Sequence, residues 1–238
     1  MTSTPELLAT TATLTRIRLN RRNKTVRRDL TDTVSLHKTV MLLAPDDLGE
    51  HPRQQAGLLF RLEDGTDDTP STLLVQSHQP PDLTRLPHHY GSAETRPLHP
   101  MFQALAPGRA VRYRIVANAS AVRRVLDDHQ PVDNKHGRKV IALYGDDALA
   151  WWQRRAHQAG LALTTVDSTP ARFRSARRRP HPTTEAGEAD QAPDPLHALT
   201  RFEGLATITD PDQLRHAVLA GIGRGKPYGA GLLSLAPA

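Results

Sequence analysis

Twice along this chain a strand-like segment is followed by a cationic stretch, a capped helix and further strands, and that order admits few folds. In the first half Thr13–Leu19 (TLTRIRL) alternates apolar and polar residues, the two-residue period of a half-buried strand. Residues 20–30 (NRRNKTVRRDL) read as a polar, strongly basic loop. Asp32 or Thr33 caps a helix over VSLHKTVMLLA, with Leu36, Val40 and Leu43 as its apolar stripe. GLLFRLE and STLLVQS then read as two strands joined by the turn DGTDDTP.

The second half starts again. AVRYRIVAN reads as a strand, DNKHGRKVI as a basic loop, and DDALAWWQRRAHQAG as a helix with acids in its first turn and Gly160 just past its end. LALTTVDS and ARFRSARRR read as strands or a hairpin, and RPHPTTEAGEADQAPDP as a polar, Pro-rich connection. ALTRFEGLATIT is a strand; DPDQLRHAVLAG is a helix with Asp210 at its N-cap, Pro211 at its first position and Gly221 beyond its end; GAGLLSLAP closes as a strand. The second half fits βαββαβ, the ferredoxin-like order, and the first half fits its opening βαββ. The expected architecture is therefore α+β, two tandem ferredoxin-like domains. They span residues 13–107 and 108–238 behind a short lead-in, residues 1–12, and the boundary falls at the end of the weakly patterned, Pro- and His-rich stretch 79–107.

Charge narrows the partners. Lys and Arg total 31 against 25 Asp and Glu, a net charge of +6, which favours a polyanion and nucleic acid first. The chain has no cysteine, which removes disulfides, zinc–thiolate sites and thiol catalysis and fits a reducing, cytoplasmic setting. No apolar run approaches the ~20 residues needed to cross a bilayer, and MTSTPELLATTA lacks the basic and apolar regions of a secretion signal.

The C-terminal stretch GIGRGKPYGAGLLSLAPA concentrates glycine and positive charge. It is not a Walker A loop, because Lys226 is followed by Pro227 and Ala220 occupies the first glycine position. It is not a dinucleotide fingerprint, because Gly221, Gly223 and Gly225 follow a helix and precede a strand. Two readings are left: a long helix C-cap, or a backbone-lined groove in which bare main chain approaches a phosphate and Arg224 and Lys226 supply charge.

GIGRGKPYGAGLLSLAP closely resembles the C-terminal glycine-rich loop of the CasE family, the CRISPR repeat-RNA endoribonucleases of the type I-E Cascade complex. LTRIRLNRRNKTVRRDLTDTVSLHKTV resembles that family's opening strand, basic loop and a helix carrying a histidine in an LH dipeptide. LLVQSHQPPD, YRIVANASAVRR and FEGLATITDPDQLRHAVLAGIGRGK resemble further family segments, so the likeness runs from Thr13 onward. The resemblance implies metal-independent cleavage of a repeat hairpin at the 3′ base of its stem. The RNA's own 2′-hydroxyl attacks the adjacent phosphate, leaving a 2′,3′-cyclic phosphate and a 5′-hydroxyl, and the protein keeps the product as a Cascade subunit. It implies His37 as the catalytic histidine, with Lys38 beside it. Several relatives carry Tyr three positions before the histidine; here that position is Val34, so the charged phosphate falls to Lys38, Arg27, Arg28 or Lys226. No cofactor and no metal are implied. Partners are the repeat RNA, precursor and mature, and other Cascade subunits, with no membrane.

The expected RNA surface has four parts. Arg21, Arg22, Lys24, Arg27 and Arg28 precede the histidine helix; Lys135, Arg138 and Lys139 form a second patch. Arg172, Arg174, Arg177 and Arg178 lie on a candidate hairpin, where the alternation of Arg172 and Arg174 suits a phosphate backbone. Gly223, Arg224, Gly225, Lys226 and Tyr228 form the glycine-rich loop. Aromatic residues are only 4% of the chain and no aromatic RNP motif occurs, which favours a structured duplex over a single strand. His88 and His89 lack a third metal ligand nearby, and His136, His181 and His197 sit in polar loops. A non-cleaving RNA-binding subunit of the same fold is the alternative; a DNA-binding regulator lacks a helix-turn-helix pattern. The leading reading requires residue 37 and residues 221–229 to share one groove.

Overall fold

Strand β1 (Thr13–Leu19) keeps its two-residue alternation in three dimensions, with Thr13, Thr15, Ile17 and Leu19 buried. The computed structural model describes residues 10–46, 48–66, 69–124, 138–171 and 198–238, with the side chains of 123, 124, 138 and 139 outside the description. β1 lies inside an antiparallel sheet with β2 (Leu59–Glu63), β3 (Thr72–Ser77) and β4 (Gly91–Pro97), in the order β2-β3-β1-β4. Helices α1 (Lys24–Thr31) and α2 (Thr33–Met41) and the short α3 (Pro52–Gln55) link β1 to β2. Their apolar residues Val26, Leu36, Val40 and Leu43 close a core with Ile17, Phe60, Leu73, Val75 and Tyr90.

The basic stretch read as a loop is mostly helix α1. Asn23 caps it, its side-chain oxygen accepting from the amides of Thr25 at 2.7 Å and Val26 at 3.2 Å. Val26 and Asp29 fix its inner face. The Asp29 carboxylate, 2% exposed, accepts from Thr39 Oγ1 at 2.6 Å, Tyr90 OH at 3.0 Å and Arg28 Nη2 at 3.0 Å. One buried charge thus ties α1 to α2 and to the loop before β4, and its partners meet the cost of removing it from water. Arg21, Arg22, Lys24 and Arg27 stay exposed beside Arg28, so the segment turns its basic run toward solvent.

β4 falls inside the weakly patterned stretch 79–107. It is an edge strand, exposed along most of its length and held by its backbone ladder to β1, so it has no buried face to imprint a period on the sequence. Helix α4 (His99–Gln103) follows it, and Leu98 and Phe102 belong to the second core.

The second sheet contains β5 (Ala110–Asn118), β8 (Leu161–Leu163), β10 (Leu199–Ile208) and β11 (Ser234–Pro237) in the order β11-β5-β10-β8, with β9 (Asp167–Ala171) also on β10. A hairpin of β6 (Ser120–Arg124) and β7 (Arg138–Ala142) stands between β5 and helix α5 (Gly145–Gln158), so the end of the second basic loop is strand. Helix α6 (Pro211–Ala220) is capped by Asp210, which accepts from the amides of Asp212 and Gln213, and ends at Gly221 with φ 71°. Trp152 is buried between Tyr113 and Phe202, with both centroid distances 5.6 Å. The closing strand is shorter than its sequence suggests: Gly229–Leu233 precede β11 without entering the sheet.

Two polar side chains bolt the sheets together. Arg61 on β2 donates from Nη1 to the carbonyls of Arg114 at 3.2 Å and Leu232 at 3.0 Å. Gln76 on β3 donates to the carbonyl of Val218 at 2.8 Å. Both residues bond to main chain of the second half, so they fix the first sheet against β5 and α6.

Candidate active site

His37 occupies the fifth position of α2, on the flank of the buried stripe Leu36, Val40 and Leu43. The helix starts where Asp32 accepts from the amide of Val34, and Asp29 holds it through Thr39. The imidazole is half-buried and lies over the Phe60 ring, centroids 6.4 Å apart and planes inclined by 22°. Its Nδ1 is buried and has no hydrogen-bond partner among the described residues. Burial, and after it the charge of Arg53, holds the imidazole below its ordinary 6.5. Both observations favour the neutral ring, because a protonated Nδ1 would be a buried donor without an acceptor.

The glycine-rich loop arrives from the other half of the molecule. Gly221, Gly223, Gly225, Gly229 and Gly231 all have positive φ, a region that side chains disfavour. The loop is closed by Ile222 N–H to Gly231 O at 2.9 Å and Gly231 N–H to Val116 O at 2.7 Å. Between these closures Lys226–Tyr228 make one 3-10 turn, which packs against α2 and against β2. A Cβ at Gly229 would stand 3.2 Å from the Phe60 ring, and one at Gly221 would stand 2.8 Å from Leu59. The same ring therefore neighbours both His37 and the loop.

Arg53 is the residue that sequence reading did not single out. It sits on α3 in HPRQQAG, a four-residue helix with no apolar period to mark it. Its Nη1 donates to the Leu58 carbonyl at 3.0 Å, immediately before β2. Its charge reaches both His37 and Lys226, and it depresses Lys226 as well, second to burial. A neutral imidazole, an ammonium and a guanidinium thus meet at one junction. That set can accept a proton and stabilise a developing negative charge.

Arg21, Arg22, Lys24 and Arg27 are exposed on and before α1, and Arg28 is exposed but paired with Asp29. Lys38 is exposed one residue beyond His37, about 100° around the helix, and Val34 is 43% exposed one turn before it. Arg224 is exposed, and its backbone bridges to Asn118. Lys135, Arg172, Arg174, Arg177 and Arg178, with His136, His181 and His197, lie outside the described residues, and Arg138 and Lys139 are placed by backbone only, on β7. Among the described residues no group of His, Asp and Glu could hold a metal ion, and no helix is long and apolar enough to cross a membrane.

Two antiparallel sheets that present a half-buried histidine to a cationic glycine loop define the architecture of a CRISPR-associated protein: the family model of that description matches residues 14–237. The CRISPR-associated endoribonuclease Cse3 of Thermus thermophilus is 31% identical over 230 residues, covering 94% of this chain and 99% of its own. The CRISPR system Cascade subunit CasE of Escherichia coli K12 is 28% identical over 209 residues, covering 87% and 92%. The solved structure of Thermus thermophilus Cse3 bound to an RNA representing a pre-cleavage complex superposes with a TM-score of 0.72 at 29% identity, over 95% of this chain and 100% of that one. The chain belongs to the Cse3/CasE family of CRISPR endoribonucleases, subunits of the type I-E Cascade.

Proposed function

We propose that this chain is a metal-independent endoribonuclease. It cuts CRISPR precursor RNA at the 3′ base of the repeat stem-loop and stays on the mature guide RNA as a Cascade subunit. The observation that carries the reading is the junction of His37 with the Lys226 turn across Phe60. We take the two halves, 13–107 and 108–238, as tandem ferredoxin-like domains. In support, each sheet has its first and third main strands inside and its second and fourth outside.

His37, neutral near pH 7, takes the proton from the 2′-hydroxyl of the nucleotide before the cut. The oxygen attacks the neighbouring phosphorus, the bond to the 5′-oxygen breaks, and a proton returns to that oxygen. The products are a 2′,3′-cyclic phosphate and a 5′-hydroxyl, and no atom of the protein enters a covalent bond. Lys226 and Arg53 stabilise the charge on the phosphorane, with Lys38 at the mouth of the site. The glycines let main chain approach the ribose–phosphate backbone where a side chain would intervene. Arg21, Arg22, Lys24, Arg27, Arg28, Arg138, Lys139 and Arg224 hold the duplex through its phosphates, together with Gly223, Gly225 and Tyr228 of the loop. Lys135, Arg172, Arg174, Arg177 and Arg178 extend that surface in this reading.

The test is cleavage of a repeat hairpin in excess chelator, beside the same hairpin with a 2′-deoxy sugar at the scissile nucleotide. Cutting of the first and sparing of the second is the expected result. Cutting that needs added magnesium, or that survives the deoxy substitution, overturns the mechanism. Binding of both hairpins with no cleavage of either would make the chain a non-cleaving RNA-binding subunit, a reading that Val34 in the tyrosine position favours.

A further inference from the structure

Helix α5 carries two arginines, Arg154 and Arg155, that have no part in the site above. Both are exposed. They face a groove of about 350 Å³ whose other walls include Asn118, Val122, Gly223 and Arg224. Among the described residues three guanidinium groups line this groove, and no carboxylate does.

The groove is built from fixed parts. A Cβ at Gly223 would stand 3.2 Å from Trp151 Cη2, so the loop backbone lies on the indole edge. The Arg155 guanidinium stands 5.8 Å from the centroid of the same Trp151 ring, within reach of its face. Arg155 Nη1 also donates to Gln158 Oε1 at 3.1 Å. Arg224 is set by the backbone bridge to Asn118 at the end of β5. One Trp side chain therefore positions both the loop that bears Arg224 and the guanidinium of Arg155.

Three cations around one small groove repel each other, and at physiological salt the screening length is about 8 Å, too long to hide such neighbours from one another. An anion between them relieves that repulsion. A guanidinium fork matches two oxygens of a phosphate. The groove also opens from the loop that carries Lys226, two residues beyond Arg224. A polymer phosphate therefore fits better than a free ion, since a strand at the His37–Lys226 junction has only to continue along the loop.

We propose that this groove is a second phosphate subsite, in which Arg154, Arg155 and Arg224 hold the RNA backbone where the strand leaves the cleavage junction. The inference rests on the reading of this chain as an RNA-cutting enzyme. It adds α5 to the RNA surface, a helix that the sequence marks only by acids in its first turn and Gly160 just past its end.

The experiment measures anisotropy of two labelled RNAs against the full chain, a hairpin extended past the cut with a 2′-deoxy sugar at the scissile nucleotide and a hairpin ending at the cut, from about 50 to 200 mM KCl. The variants are R154A/R155A and R154Q/R155Q, the second keeping side-chain cover over Trp151. R109A is the control for lost charge, at the far end of β5 from Asn118. Both double variants are expected to bind about tenfold more weakly, with a salt slope shallower by about 0.7 for each phosphate that is no longer neutralised. R109A is expected to behave as wild type. Weakening confined to the extended RNA assigns the groove to the released strand; weakening of both assigns it to the retained strand. Affinity and slope unchanged for both RNAs overturn the proposal and leave the groove to an acidic protein surface. Wild-type protein that fails to bind either hairpin sinks the nuclease reading itself, and the subsite with it.

Discussion

The His37 imidazole and the Phe60 ring lie 6.4 Å apart, centroid to centroid, at an angle of 22°. The contact takes one face of the imidazole out of water while Arg53 adds a positive charge nearby, and both act against protonation. The neutral ring is the form that accepts a proton. Cleavage measured as a second-order rate constant, which reports the free protein, should therefore rise with pH and level off, with its half-point below 6.5. Arg53→Gln removes one of the two depressing influences. The half-point is then expected to move up toward 6.5, stopping short because burial persists. A half-point that moves down, or does not move, would show that Arg53 has no electrostatic hold on the base.

In the proposed mechanism His37→Ala removes the proton acceptor, and no Nδ1 hydrogen bond to the described residues is lost with it. Cleavage at saturating protein should fall by about 10²–10⁴-fold, the usual worth of a positioned acid–base group. Affinity for the hairpin should change by no more than about twofold, since binding rests on arginines and lysines. A large loss of affinity with a proportionate loss of rate would mark His37 as structural.

What the sequence discloses depends on whether burial leaves a period. β1 and α2 are legible because each buries one face, and α6 because Asp210, Pro211 and Gly221 punctuate it. β4 is not legible, being exposed on both sides. α1 is masked by its own charge, since two inward residues, Val26 and Asp29, are outweighed by five cations between Arg21 and Arg28. In the site, His37 and Lys226 carry local signals, a capped helix and a glycine loop. Arg53 carries none: its place beside both is a consequence of how β2 packs against the second half, and short-range pattern does not encode that.

Two glycines separate backbone strain from crowding. Gly108 has φ +79° with open space around its Cβ direction, and Gly231 has φ +88° with the Ile222 carbonyl oxygen only 2.8 Å from where a Cβ would stand. Gly108→Ala should cost about 1 kcal/mol, the conformational penalty alone. Gly231→Ala adds a clash with backbone that Ile222 N–H and Gly231 O hold in place, so it should cost about 2–4 kcal/mol. It should also reduce cleavage, because the Lys226 turn lies between these closures. Thermal melts of the two variants check the order; equal melting temperatures would mean that the loop yields without cost.

Arg61 and Arg114 form ion pairs in the same seam but differ in what they hold. The Arg61 side chain is 3% exposed, donates to two carbonyls of the second half and pairs with Glu63 at 2.7 Å. The Arg114 side chain is 44% exposed and pairs with Glu63 and Glu203. Arg61→Met would strip the donor from two carbonyls and leave Glu63 to Arg114 alone, and a buried group deprived of its partner costs about 3–5 kcal/mol. Arg114→Met removes two partly solvated pairs and should cost about 0–1 kcal/mol for each. Urea unfolding separates the two. The functional consequence follows from position: Arg61 adjoins Phe60, so loosening it shifts the surface that supports both His37 and the glycine loop. Arg61→Met is therefore expected to slow cleavage in conditions where the protein is still folded, with RNA affinity nearly kept. If Arg61→Met and Arg114→Met prove equally stable and equally active, the bolt at Arg61 does not set the junction.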